Sequence, residues 1–322
     1  MGSLRHLTVT QQVGLLFVAL FGVLVLVTLY AFTRSFREGA GREADAHDRF
    51  VRDVRALWAG ALLFWVAWAS GPVGSTLLFG LVSFVALREF VTLTHTRRGD
   101  HRSLLLAFFV VLPVQYVLVA ERQFNAFTVF IPVYVFFAIP VISALANDPF
   151  RFLERTAKIQ WGITVCVYGM SHAPALLLLD LPGYQARGAF LVLFLVVVVA
   201  AAQLAQEAAS RRLRRRPVAR AISRSFSWRA WAIGAAAGGV VGVLLYWTTP
   251  FKPVPALAMG LIAGATGTLG EFVMKALKRD AGVRNWRGGS SVTGAVGLLD
   301  RVAPLCFAAP VFFHSVRWYV GV

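Results

Sequence analysis

The sequence predicts an all-α, polytopic integral membrane protein of about ten transmembrane helices, and three observations carry that prediction. Of its 322 residues 58% are hydrophobic, and a mean hydropathy of +0.68 leaves too little polar surface for a chain dispersed in water. The apolar residues come in runs long enough to span a bilayer, whose hydrocarbon core of ~30 Å needs ~20 of them in one helix. The basic residues collect in alternate connections, the pattern that orients helices in a membrane.

The first run, Val13 to Phe32, contains no charged residue. It is long for the apolar part of a cleaved leader, and Tyr30-Ala-Phe-Thr-Arg34 is a poor cleavage site, so it reads as a retained span. Arg34 to Arg55 follows, with six Arg and five acids, as an interfacial amphipathic helix or a solvated linker. Further runs lie near 57–71, 72–87, 104–120, 125–145, 161–181, 188–206, 231–249, 253–277 and 302–320. Their short connections leave no room for a soluble domain. The chain therefore divides into 1–56, a helix with its cytoplasmic loop, and 57–322, one membrane domain. Pro113, Pro132, Pro140 and Pro174 fall in or beside these runs, where neighbouring helices can satisfy the backbone groups they free.

A formal net charge of +17 would suit nucleic acid in a soluble protein, but its distribution excludes that here. If each run crosses once, 33–55, 88–103, 146–160, 207–229 and 275–301 share one side and hold 27 of the 32 Lys and Arg. The other side has Arg5, Arg122, Arg187, Lys252 and Arg317. The basic side is then cytoplasmic and both termini lie outside. Such a face attracts anionic headgroups by ~1 kcal/mol per basic residue, so the expected partner is an anionic phospholipid. Arg outnumbers Lys 28 to 4, a bias of high-GC bacteria that points to an inner (plasma) membrane. Cys166 and Cys306 sit inside apolar runs without disulfide or metal-site spacing.

Two segments carry candidate chemistry. Arg211, Arg212, Arg214, Arg215 and Arg216 crowd six positions ahead of Pro217 and Ser223. They read either as a bidentate phosphate clamp or as a stop signal for the preceding helix. Downstream, Glu271 and Lys275 are four apart on one helix face and can pair. Lys278, Arg279, Asp280, Arg284, Asp300 and Arg301 gather where that helix leaves the membrane and the last one enters. Ionisable groups at the edges of spans are functional candidates, and the Gly-rich stretch between them would let backbone approach a phosphate.

At these residues the chain resembles the CTP:phosphatidate cytidylyltransferase (CDP-diacylglycerol synthase) family, over most of its length from about residue 57. The resemblance is carried by Ser83-Phe-Val-Ala-Leu-Arg-Glu-Phe-Val-Thr-Leu-Thr94, Arg97-Arg-Gly-Asp-His-Arg102 and Phe152-Leu-Glu-Arg-Thr-Ala-Lys-Ile-Gln-Trp-Gly162. Ser171-His-Ala-Pro-Ala-Leu-Leu177 and Cys306-Phe-Ala-Ala-Pro-Val-Phe-Phe-His314 add to it. It implies a membrane enzyme that joins phosphatidate to the α-phosphate of CTP, with metal ions held by carboxylates and basic groups neutralising charge.

The signature that resemblance brings is eroded. Lys278, Arg279, Gly282, Val283, Gly294, Gly297, Asp300 and Arg301 match it. Its Ser is Lys275, its Lys-Asp is Arg284-Asn285, its His is Ala295, one Gly is Val296 and its final Asp-Ser is Ala303-Pro304. Gln203 stands where an acid is expected, and Ser223-Arg-Ser-Phe-Ser227 has lost a Lys. The resemblance thus implies Lys278, Arg279, Asp300 and Arg301 as the catalytic remnant. It implies Asp300 as the metal ligand (Mg²⁺, if the enzyme is active) and the arginine run with Ser223 as the substrate side. One aspartate cannot set a two-metal geometry, and losing a single charge stabiliser typically costs ~10²–10³ in rate.

Three readings follow. In the first, a family member with lost or impaired catalysis has a lipid-binding or regulatory role in phospholipid biosynthesis, as a homo-oligomer or with an intact paralogue. In the second, an active CDP-diacylglycerol synthase takes CTP and uses displaced ligands, Asn285 or Glu271. The third is a transporter or structural membrane protein, against which charge gathers at one face instead of the midplane. His172, alone in an apolar run, reads as a hydrogen-bonded packing residue.

Overall fold

The computed structural model describes residues 58–282 and 297–321, except 95, 186, 214–216 and 224–225, together with positions scattered between 8 and 54. Every regular element among them is helical. The chain divides into two compact units, Met1–Ser75 and Thr76–Val322.

In the first unit the positions described between 11 and 29 are helical wherever they fall in the charge-free run. A second helix, α1 (Trp58–Ala69), packs on it through rings. Phe17 meets Trp65 edge-on at 4.4 Å and Phe21 meets Trp58 at 5.2 Å. Trp58 Nε1 also donates to Thr28 Oγ1 at 2.9 Å, which satisfies an indole N–H that lipid could not. The Arg34 to Arg55 connection, Val54 apart, lies outside the described residues.

The helices that follow are α2 (Gly71–Leu93), α3 (Arg98–Ala120), α4 (Phe124–Ala144), α5 (152–177), α6 (Gly188–Leu213), α7 (Trp228–Leu244), α8 (Pro253–Asp280) and α9 (Leu298–Val320). By length and composition α2, α3, α4, α6 and α8 can cross a membrane, while α1 and α7 are shorter apolar helices. That measure counts five among the described residues where the apolar runs suggest about ten. The difference lies in helices such as α5, which starts on the polar stretch Phe152–Gln160, and α9, which carries Asp300, Arg301, His314 and Arg317. Large apolar side chains, among them Leu77, Phe109, Phe137, Leu204 and Val254, are exposed, as lipid-facing positions should be.

Wide π turns at Ala107–Val111 and Phe130–Val135 lie just ahead of Pro113 and around Pro132, and a third at Thr164–Gly169 precedes Pro174. Proline lacks the N–H that would tighten the preceding turn, so the helix widens there.

Small residues set how closely α6, α7, α8 and α9 approach. A Cβ on Gly242 would sit 2.6 Å from the Ala256 carbonyl oxygen, and one on Gly260 2.5 Å from that of Gly238. α7 and α8 therefore touch backbone to backbone, the contact that drives helices together where there is no water to expel. On the neighbouring faces Gly234 lies under the Ala202 carbonyl and Gly270 under the Phe307 ring. These contacts fix α8 against α7 and α9, and α7 against α6, and α8 carries Glu271, Lys275 and Lys278.

Candidate functional site

The polar groups near the end of α8 form a linked cluster. Lys275 Nζ lies 2.6 Å from Glu271 Oε1, the pairing that their i,i+4 spacing predicts. Gln203 on α6 donates through Nε2 to Glu271 Oε2 at 3.0 Å, so the amide at the expected acidic position holds a carboxylate from the next helix. One turn further along α8, Lys278 pairs with Asp300 on α9, and its charge also reaches Glu271. These pairs stay open to their surroundings, with side-chain exposures of 40% and 34% for Lys275 and Glu271, and 19% and 32% for Lys278 and Asp300.

A residue the sequence reasoning missed completes the cluster. Glu89, near the end of α2, is 1% exposed. Its Oε1 accepts from the Gly297 N–H at 2.9 Å, and its Oε2 from Leu298 and Leu299 at 3.0 and 3.4 Å. Three amides that open α9 are thereby satisfied by one carboxylate. Gly297 has φ +75°, a left-handed conformation that glycine adopts without a Cβ penalty. No local signal announces this contact, because its partners lie 208 residues apart.

The other expected residues fall as follows. Arg279 and Arg301 are exposed beside the Lys278–Asp300 pair. Arg211 and Arg212 are exposed in the last turn of α6, where the helix dipole favours cations, and Arg211 pairs with Glu207 at 2.6 Å. Arg214, Arg215, Arg216, Arg284, Asn285, Ala295 and Val296 lie outside the described residues. Ser223 is buried in a loop closed by the Val218 N–H on the Phe226 carbonyl at 3.1 Å. Phe226 stacks on Phe272 at 4.3 Å, so this loop docks on α8 beside Glu271. Among the described residues no three of His, Cys, Asp or Glu gather so as to hold a metal ion, and the Asp300 carboxylate is turned to Lys278.

A cavity of about 370 Å³ opens next to the cluster. Phe90, Leu93, Trp161 and Leu277 give it an apolar lining, and Glu154, Lys158 and Asp280 a charged rim. Lys158 and Glu154 pair at 2.7 Å. The hydrogen bond from Lys158, assisted by Arg151, holds the Glu154 carboxyl below its ordinary range.

A separate network, buried at Arg155 and Asp100 and half-buried at Asp148, ties the connections on either side of α3 and α4. Arg155 Nε donates to Asp100 Oδ1 at 2.7 Å, and Nη1 to Asp148 Oδ2 at 2.8 Å and the Phe150 carbonyl at 2.7 Å. Asp100 Oδ2 accepts from the Arg97 N–H at 2.8 Å. Burial works against the guanidinium charge, yet the hydrogen bond from Asp100 and the two carboxylate charges keep its pKa above the usual value. His172 is buried as well, with Nδ1 2.7 Å from the Tyr168 carbonyl and its ring against Phe127 and Phe313. That is a packing environment.

Long apolar helices that carry a lysine–carboxylate cluster at one end define a polytopic membrane protein with a charged terminal site. The cytidylyltransferase family matches residues 50–319, and the chain belongs to that family. It is 34% identical over 308 residues to the uncharacterized protein YnbB of Escherichia coli (strain K12), a match covering 93% of this chain and 96% of that one. A shorter match, 33% over 88 residues, relates 27% of this chain to 29% of a phosphatidate cytidylyltransferase from Synechocystis sp..

Proposed function

We propose that the protein keeps the family's membrane scaffold and binds the phosphate of an anionic phospholipid at its basic face, without transferring a nucleotide. The observation that carries this reading is that Glu271 and Asp300 are each engaged by a lysine of the chain itself. At the positions where further acids are expected stand Gln203, Asn285 and Ala303. A carboxylate pair neutralised by ammonium groups does not match the several free carboxylates that clamp metal-bound phosphates, so these residues do not fit a resident Mg²⁺.

What remains suits a headgroup. Arg211 and Arg212 end α6, Lys278 and Arg279 end α8, and Arg301 opens α9. A lipid phosphate at this level would meet guanidinium groups able to donate in pairs, and the apolar lining beside Leu277 would receive its glycerol and upper chains. The basic face is cytoplasmic on this reading, in a bacterial inner membrane, and the role is regulatory toward phospholipid synthesis, alone or beside an intact paralogue.

A second reading has one observation in its favour. The Gln203 amide holds Glu271 beside the position of the missing acid, which suits an active synthase with a displaced ligand. Purified protein given Mg²⁺, CTP and phosphatidate separates the two. We expect no pyrophosphate above background; release that disappears in Asp300→Ala establishes the active enzyme instead. Native mass spectrometry should find phosphatidate retained in preference to phosphatidylcholine. Equal retention of the two lipids would remove the headgroup reading.

A further inference from the structure

We infer that Glu89 is the positioning residue of the cluster: from α2 it holds the first turn of α9 and so places Asp300 against Lys278. The inference rests on the reading of Asp300 and Arg301 as site residues.

The cap residue of α9 is Gly297, which has no side chain to offer the helix's first amides. Those amides are satisfied from another helix, by a carboxylate that is itself 1% exposed. The dependence runs both ways. A buried carboxylate needs several N–H donors to remain charged, and the positive end of the helix dipole supplies further compensation. Asp300 follows directly after Leu299, the last amide in the grip, in the same first turn. Two carboxylates thus share one helix start with divided tasks, Glu89 facing backbone and Asp300 facing Lys278.

Glu89 is well placed to act as a reference point because α2 is keyed to its neighbours. The Phe90 ring lies where a Cβ on Gly162 would meet it at 2.6 Å, and Ser83 Oγ donates to the Cys166 carbonyl. α5 in turn meets α9 where Gly169 lies against the Cys306 carbonyl, 2.5 Å from where its Cβ would be. α2, α5 and α9 close on one another, and Glu89 connects α2 to α9 at the level of the cluster. An uncapped first turn frays and carries Asp300 away from its lysine.

The chain has only four lysines, Lys158, Lys252, Lys275 and Lys278, so amine labelling of the full-length protein in detergent reads Lys278 directly. Glu89→Gln should raise Lys278 labelling about three- to fivefold, the factor that a part-exposed ion pair supplies, and speed amide exchange at 297–299. Lys158 and Lys252 should not change. Glu89→Asp, which restores the charge on a shorter arm, should give a smaller rise and decides the matter if Glu89→Gln does not fold. Asp300→Asn should raise Lys278 labelling while exchange at 297–299 stays slow. Faster exchange at 297–299 with unchanged Lys278 labelling would reduce Glu89 to a cap alone and overturn the inference. A parallel rise at all four lysines would do so too. Labelling needs no lipid, so failure of phosphatidate retention in the parent protein would sink the headgroup reading and leave this one standing.

Discussion

Two charged regions of this molecule contain carboxylates beside basic side chains, and they are built in opposite ways. In the first, two acids converge on one arginine: Asp100 and Asp148 on Arg155, with Arg155 and Asp100 only 6% and 2% exposed. In the second, each acid has its own lysine, and all four side chains keep between 19% and 40% of their exposure. The buried Arg155–Asp100 pair at the centre of the first cannot exchange partners without unfolding locally, so it serves as a lock between connections. The open pairs contribute little to stability and can trade a partner for a ligand. Burial, more than charge, separates the structural site from the functional candidate.

The largest effect is expected at the lock. Arg155→Met leaves Asp100 as an uncompensated buried charge and should cost ~3–5 kcal/mol, seen as a large fall in the thermal unfolding midpoint in detergent. A fall no greater than for a surface arginine would mean that the two regions do not differ as described. Next in size, removing Arg211 and Arg212 together (both to Ala) should weaken phosphatidate retention by up to ~2 kcal/mol, about thirtyfold, at ~1 kcal/mol per basic residue near the surface. Retention there should also fall with added salt. Unchanged retention would assign these arginines to orienting α6 and nothing more. The smallest effect sharpens the contrast: Lys275→Ser should change stability by less than ~1 kcal/mol, because the pair it breaks is half exposed. It also takes the ammonium group from Glu271 Oε1, so Mg²⁺ should raise the unfolding midpoint of that variant more than that of the parent. An equal response to Mg²⁺ would show that the lysine does not stand in for metal charge.

Much of the scaffold was legible because hydrophobicity over long windows is a strong signal. The runs near 188–206 and 253–277 are the apolar bodies of α6 and α8 (Gly188–Leu213 and Pro253–Asp280). Their ends were not, since hydropathy stops at the first charges while the helix continues through them. Lys278 and Arg279 still belong to α8, where its C-terminal dipole favours them. α5 likewise begins at Phe152, stabilised by Glu154 and Lys158 one turn apart. Within the cluster, the Glu271–Lys275 pair could be read from spacing alone. The Gln203–Glu271 bond and the Glu89 cap could not, because only the packing of α2, α6, α8 and α9 brings those residues together. Arg155 stood in view as one of many loop cations, and nothing in its neighbourhood marks it as the buried one.

The backbone contact between α7 and α8 has a consequence for how such a chain can change over generations. Because Gly242 and Gly260 key these helices by shape, the acids and bases further along α8 contribute little to whether the helices assemble. Charged positions there can change one at a time without the bundle coming apart. A catalyst resting on such a frame can shed its chemistry and still reach the membrane intact, ready to be kept for whatever its remaining surface can hold.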